Sequence, residues 1–178
     1  MYSRLQIDGS HGGDLDAAVA GSRHVTQLLK IVGASAPSMT DGKVGPRIPK
    51  LFLSFTIGET EGQGKGVPQL RSYSARGWRE CLAEWLRVVG GLRRLRKADC
   101  APRVYATLEE LLLDGETKIQ ELTLAAMGRF EVPYLKPYAT SLGKMLHPVT
   151  IREELVRFSL EAEARGGAIA DTDRAQFL

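Results

Sequence analysis

The segment Lys50–Ile57 reads KLFLSFTI, and the period assigned to it decides the fold class. Leu51, Leu53, Phe55 and Ile57 alternate with Phe52, Ser54 and Thr56, in a composition that favours extended backbone. Such period-two alternation predicts a half-buried β-strand. Val67–Ser74 (VPQLRSYS) offers a return strand, with Pro68 at its start or on an edge, where a missing N–H is tolerated. Between the two lies the glycine-rich IGETEGQGKGVPQ, Ile57–Gln69. The expected fold class is therefore α+β, a small antiparallel sheet on a hairpin over about residues 50–74, packed by several helices. The C-terminal half is expected to be mostly helical.

Working outward, the period changes at Gly77. In GWRECLAEWLRVVGGLRRLRK, Trp78, Leu82, Trp85, Val89 and Leu92 fall on one helical stripe, with Arg79, Glu80, Arg87 and Arg94 opposite. Gly90-Gly91 should end or bend that helix, leaving LRRLRK as a shorter continuation. Upstream, Asp14 and Gly33 bracket an expected helix as N-cap and stop. Gly33–Pro49, with three glycines and three prolines, reads as a long loop. Downstream, Arg103–Thr107 (RVYAT) is a candidate short strand. The spacings TLEE from Thr107, TKIQ from Thr117 and TIRE from Thr150 predict helix starts. The last of these helices carries the stripe Ile151, Leu155, Phe158 and Ala162 and stops at Gly166-Gly167. The division expected is a flexible arm over 1–13, one globular domain over 14–166 and a tail over 167–178, without an internal repeat.

A chain of 178 residues, 43% hydrophobic and 25% charged, has the composition of a soluble globular protein, with no apolar run able to span a bilayer. The N-terminus lacks a signal-peptide pattern, and Cys81 and Cys100 are too few for a disulfide framework. An intracellular, reducing, cytoplasmic setting is expected. The net charge of +3 is unevenly placed. Residues 62–103 hold ten basic against three acidic side chains, and residues 104–178 eight against twelve. A basic middle beside an acidic end is an argument about partners rather than fold.

The glycine-rich stretch fails as a phosphate cradle. Five residues, not four, separate Gly58 from Gly64, Gly66 stands where a metal-binding hydroxyl belongs, and Val-Pro follows instead of a helix. No cofactor is expected. The basic residues Lys65, Arg71, Arg76, Arg79, Arg93, Arg94, Arg96 and Lys97 are the candidate nucleic-acid contacts, because guanidinium forks suit phosphate oxygens. Cations near a helix C-terminus are also favoured by its dipole without any ligand. Trp78 and Trp85 share a face and are assigned to core or subunit-interface packing. His11, His24 and His147 are scattered, and neither metal-ligand spacing nor a nucleophile motif is present. No motif is specific enough to name a family.

The expected function is a non-enzymatic binding or assembly protein, a subunit of a larger complex whose basic residues 65–97 engage nucleic acid or the acidic C-terminal part of a neighbouring subunit. Two alternatives stand beside it. One is a small enzyme with a site built from dispersed residues. The other is a purely structural homo-oligomer of a filament, shell or tail.

Overall fold

A computed structural model describes residues 11–39, 45–57, 75–113, 115–158, 170 and 173. Among these residues the regular elements are all helical. In order they are α1 (His11–Ser35), α2 (Arg47–Ile57), α3 (Ala75–Gly91), α4 (Ala101–Leu112), α5 (Thr117–Met127), α6 (Ala139–Met145) and α7 (Ile151–Arg157). Short 3-10 turns join several of them.

The described fold is thus all-α, and the α+β expectation is wrong at its decisive segment. KLFLSFTI is the body of α2, and RVYAT lies inside α4. The reason is visible once Ile48 and Pro49 are counted with the run. Ile48, Pro49, Phe52, Leu53 and Phe55 are the buried residues of α2, spaced by three and four, while Leu51 and Ile57 face outward. Pro49 sits in the first turn, where its absent N–H would have had no partner within the helix. The Thr56 hydroxyl donates back to the Phe52 carbonyl at 3.0 Å, as threonines in helices do. The expected return strand, the glycine-rich stretch, Lys65 and Arg71 lie outside the described residues. Helix α1 begins at His11, ahead of Asp14, and continues through Gly33 to Ser35. Residues 36–38 and 47–49, expected as loop, are helical too.

Helix α3 is the centre of the molecule. Cys81, Leu82, Ala83, Leu86, Val88 and Val89 are buried along it, because helices pack on several of its sides. Each large aliphatic side chain so buried contributes about 1.5–3 kcal/mol of transfer free energy. Against α1, Cys81 Sγ donates to the Ser22 carbonyl at 3.4 Å and lies 3.3 Å from the Thr26 hydroxyl. Burial pushes the Cys81 thiol above its ordinary value, so it packs rather than reacts. Farther along, a Cβ on Gly91 would stand 3.0 Å from the Ala36 Cβ, tighter than ordinary contact, so a larger residue there would require Ala36 to give by a few tenths of an ångström. Contacts that advance together along both helices make α1 and α3 parallel. Arg79 near Glu116, and Gly90 near Ala126, make α3 and α5 parallel as well. By contrast, Phe52 meets Trp85 and Phe55 meets Trp78, so α2 runs antiparallel to α3. Gln120 bonding the Leu112 carbonyl, and Tyr105 meeting Phe130, set α4 antiparallel to α5. Helices α1, α3 and α5 therefore form one layer and α2 and α4, which also touch, form the other. Stacked antiparallel helix pairs of this kind are the architecture of α-solenoids.

Helices α6 and α7 close the C-terminal side. Thr150 is the N-cap residue of α7, yet its hydroxyl donates to the Lys144 carbonyl at 2.6 Å instead of capping. The stripe read from the sequence is turned: Leu155 is exposed and Glu154 is buried. Glu154 takes a hydrogen bond from Ser141 and lies 3.6 Å from Lys144 Nζ, which together hold its carboxyl below the usual range. A carboxyl depressed in the folded state stabilises the fold above its unfolded value of about 4.3, and the contribution is lost as pH falls through the folded value. Thermal melts from about pH 6 down to pH 3 should therefore show a loss of stability that Glu154→Gln removes. If the melting temperature of the E154Q variant follows that of the native chain through this window, Glu154 has no such role.

Candidate nucleic-acid interface

The basic residues are placed by the end of α3. After Gly91 the chain advances by backbone bonds three residues apart: Leu92 N–H to Val89, Lys97 N–H to Arg94, Ala98 N–H to Leu95 and Ala101 N–H to Ala98, each of 2.9–3.1 Å. In such 3-10 geometry residues three apart share a face. Leu92 and Leu95 both point into the core, at 5% and 1% exposure. Arg93, Arg94, Arg96 and Lys97 consequently all face solvent. The sequence LRRLRK thus works as a platform, two leucine pegs below and four cations above.

Further charge gathers at this platform. The turn Gly128–Phe130 packs against Leu95–Lys97, and Arg129 Nε donates to the Gly90 carbonyl at 2.5 Å. That bond satisfies a carbonyl at the negative end of α3 and brings a fifth cation, the fourth guanidinium, to the same end of the fold. Beside the platform opens a cleft of about 300 Å³. Met39, Pro49, Leu92 and Leu95 form apolar parts of its lining, and Arg93, Arg94, Lys97 and Asp99 its charged parts. Pro46 and Pro49 flank and enter the first turn of α2, so the positive end of that helix dipole borders the cleft too.

The other expected contacts are elsewhere. Arg76 and Arg79 lie at the opposite end of α3, about 25 Å away along a helix of 17 residues. Arg76 Nε bonds Glu80 at 3.0 Å, and Arg79 approaches Glu116 at 3.8 Å. Lys118 joins them around a shallow hollow of mixed charge. On α3 between the two ends, Arg87 pairs with Glu84. The eight candidate cations are therefore split: four form the platform, two sit among carboxylates, and Lys65 and Arg71 are outside the described residues. Trp78 and Trp85 are half-buried in the α2–α3 seam. Phe55 stacks on Trp78 at 6.0 Å and 10°, and it tilts against Trp85 at 6.1 Å.

Among the described residues no group of three or more His, Cys, Asp or Glu side chains is placed to hold a metal ion. No described helix is long and apolar enough to cross a membrane. Sequence reading missed Arg129 and the cleft residues Met39, Pro49 and Asp99. No local pattern marks them, because Met39, Pro49 and Asp99 come together only where the ends of α1 and α2 meet the α3–α4 turn, and Arg129 reaches that turn from the end of α5.

One protein family, described as U3 small nucleolar RNA-associated protein 20, N-terminal, matches residues 76–178. The match covers more than half of the chain. The chain belongs to the U3 small nucleolar RNA-associated protein 20 N-terminal family. The family match opens at Arg76 on α3 and includes the platform, Arg129 and the helices that follow, whereas α1 and α2 precede it. The chain is accordingly a member of an RNA-associated family. No curated protein and no solved structure matches it.

Proposed function

We propose that the protein is a non-enzymatic assembly subunit of an RNA-associated complex and that the platform Arg93–Lys97 holds RNA phosphates. The observation that carries this reading is the burial of Leu92 and Leu95, which turns the four neighbouring cations of the same short turn outward before any ligand arrives. A backbone already fixed in its turn adds little ordering cost of its own when phosphate binds. The family description supports RNA as the source of that phosphate, and it favours a nucleolar setting over a cytoplasmic one. It also favours a mixed RNA-associated complex over a homo-oligomer. The stacked helix pairs fit the same role, since architectures of this kind present extended surfaces to partners.

The test is RNA affinity against salt between about 50 and 300 mM. Four to five phosphate contacts to a single strand predict a slope of log K on log [salt] near −3. A flat salt dependence, or no binding at the lowest salt, removes the reading.

A further inference from the structure

We propose that the cleft beside the platform takes one unpaired nucleotide of a single-stranded RNA, with its base against the apolar lining and its phosphates on the cationic rim. This deepens the proposed function and rests on it. A surface that only neutralised phosphates would need no hollow, yet one of about 300 Å³ adjoins the cations, with Met39, Pro46 and Ala98 as its accessible apolar lining over the buried Pro49, Leu92 and Leu95. A nucleobase fits that combination, being apolar on its faces and polar at its edge. Bases of a duplex are stacked and paired, and only an unpaired base can turn out of its strand into such a site.

The rim matches the rest of the nucleotide. The guanidinium planes of Arg93 and Arg94 suit both a base face and the flanking phosphates. Asp99, when ionised, can only accept hydrogen bonds, so it selects base edges that carry an amino group. Uracil, whose single edge donor, N3–H, is flanked by two carbonyl oxygens that a carboxylate repels, should bind least well. An acidic peptide would also meet cations here. Arg96 and Arg129, however, continue the charge past the cleft, which suits a polymer with a charge on every unit.

Binding is measured by fluorescence anisotropy on the full chain, with three RNAs of equal length: an oligoadenylate strand, the same strand made abasic, and a blunt duplex. The intact strand should bind about tenfold tighter than the abasic one, the scale of one stacked base. Met39→Trp, which fills the cleft, should bring that ratio close to one. Equal affinity for intact and abasic strands, or an unchanged ratio in the variant, overturns the inference while duplex binding leaves the phosphate platform standing. Absence of binding to all three RNAs overturns both. Tighter binding of a polyglutamate peptide than of any RNA would assign the cleft to an acidic segment instead, and so would also overturn it. If Met39→Trp fails to fold, the abasic comparison on the native chain decides alone.

Discussion

Replacing Arg93, Arg94, Arg96 and Lys97 together by alanine should weaken binding of single-stranded RNA by about 10²–10³ at roughly 100 mM salt. Each cation that neutralises a phosphate of a single strand contributes about 0.7 to the salt slope, so losing four should flatten it by nearly 3. The thermal midpoint should barely move. All four side chains are exposed, and it is Leu92 and Leu95 that hold the turn. The paired substitution Arg76→Ala and Arg79→Ala is the matched control. Those two cations are partnered by Glu80 and Glu116, so removing them should cost about one order of magnitude at most. Equal losses from the two ends of α3 would mean that net charge, rather than the platform, governs binding. In that event the platform has no special place in the molecule.

Phe52→Ala should destabilise the fold by about 3–5 kcal/mol, the usual range for a buried aromatic ring. The ring is fully buried and lies 6.4 Å from Trp85, in the seam that joins the two helix layers. For a chain of this size that loss should lower the melting temperature by roughly 10 °C or more. Leu51→Ala, one residue away, should change stability by no more than about 0.5 kcal/mol, because Leu51 is 56% exposed on the outer side of α2. The pair distinguishes the two periods that the segment allows. In a strand with Leu51, Leu53, Phe55 and Ile57 inward, Leu51 would be the costly residue and Phe52 the cheap one. Denaturant titration of both variants settles the order, and a Leu51→Ala loss exceeding that of Phe52→Ala would overturn the helical assignment of α2.

The contrast between α2 and α3 shows what a local pattern can carry. Helix α3 is long enough for its stripe of Trp78, Leu82, Trp85, Val89 and Leu92 to fit only a helical period. Residues 51–57 are apolar at five of seven positions, so both periods find their matches there. Neighbours break the tie. Trp78 and Trp85 on α3 offer a surface that Phe52 and Phe55 meet only from a helix. The threonine spacings fared unevenly for a similar reason. Thr117 and Thr150 do stand at helix starts, but Thr107 lies inside α4 with its hydroxyl on the Arg103 carbonyl at 3.0 Å. The capping spacing is also satisfied within a helix, where a threonine can bond back four residues.

Sequence alone determined the course of α3, its end at the paired glycines and the outward display of the cations in LRRLRK. Each of these follows from residues within about one helical turn of one another, where backbone geometry fixes which side chains share a face. The tertiary structure decided that KLFLSFTI is a helix, that Arg76 and Arg79 stand about 25 Å from the platform, and that an apolar cleft lies beside it. Met39, Pro49 and Leu95 are far apart along the chain, and packing of α1 and α2 against the end of α3 brings them together. A cleft made by that packing has no period, so no local pattern in the sequence announces it.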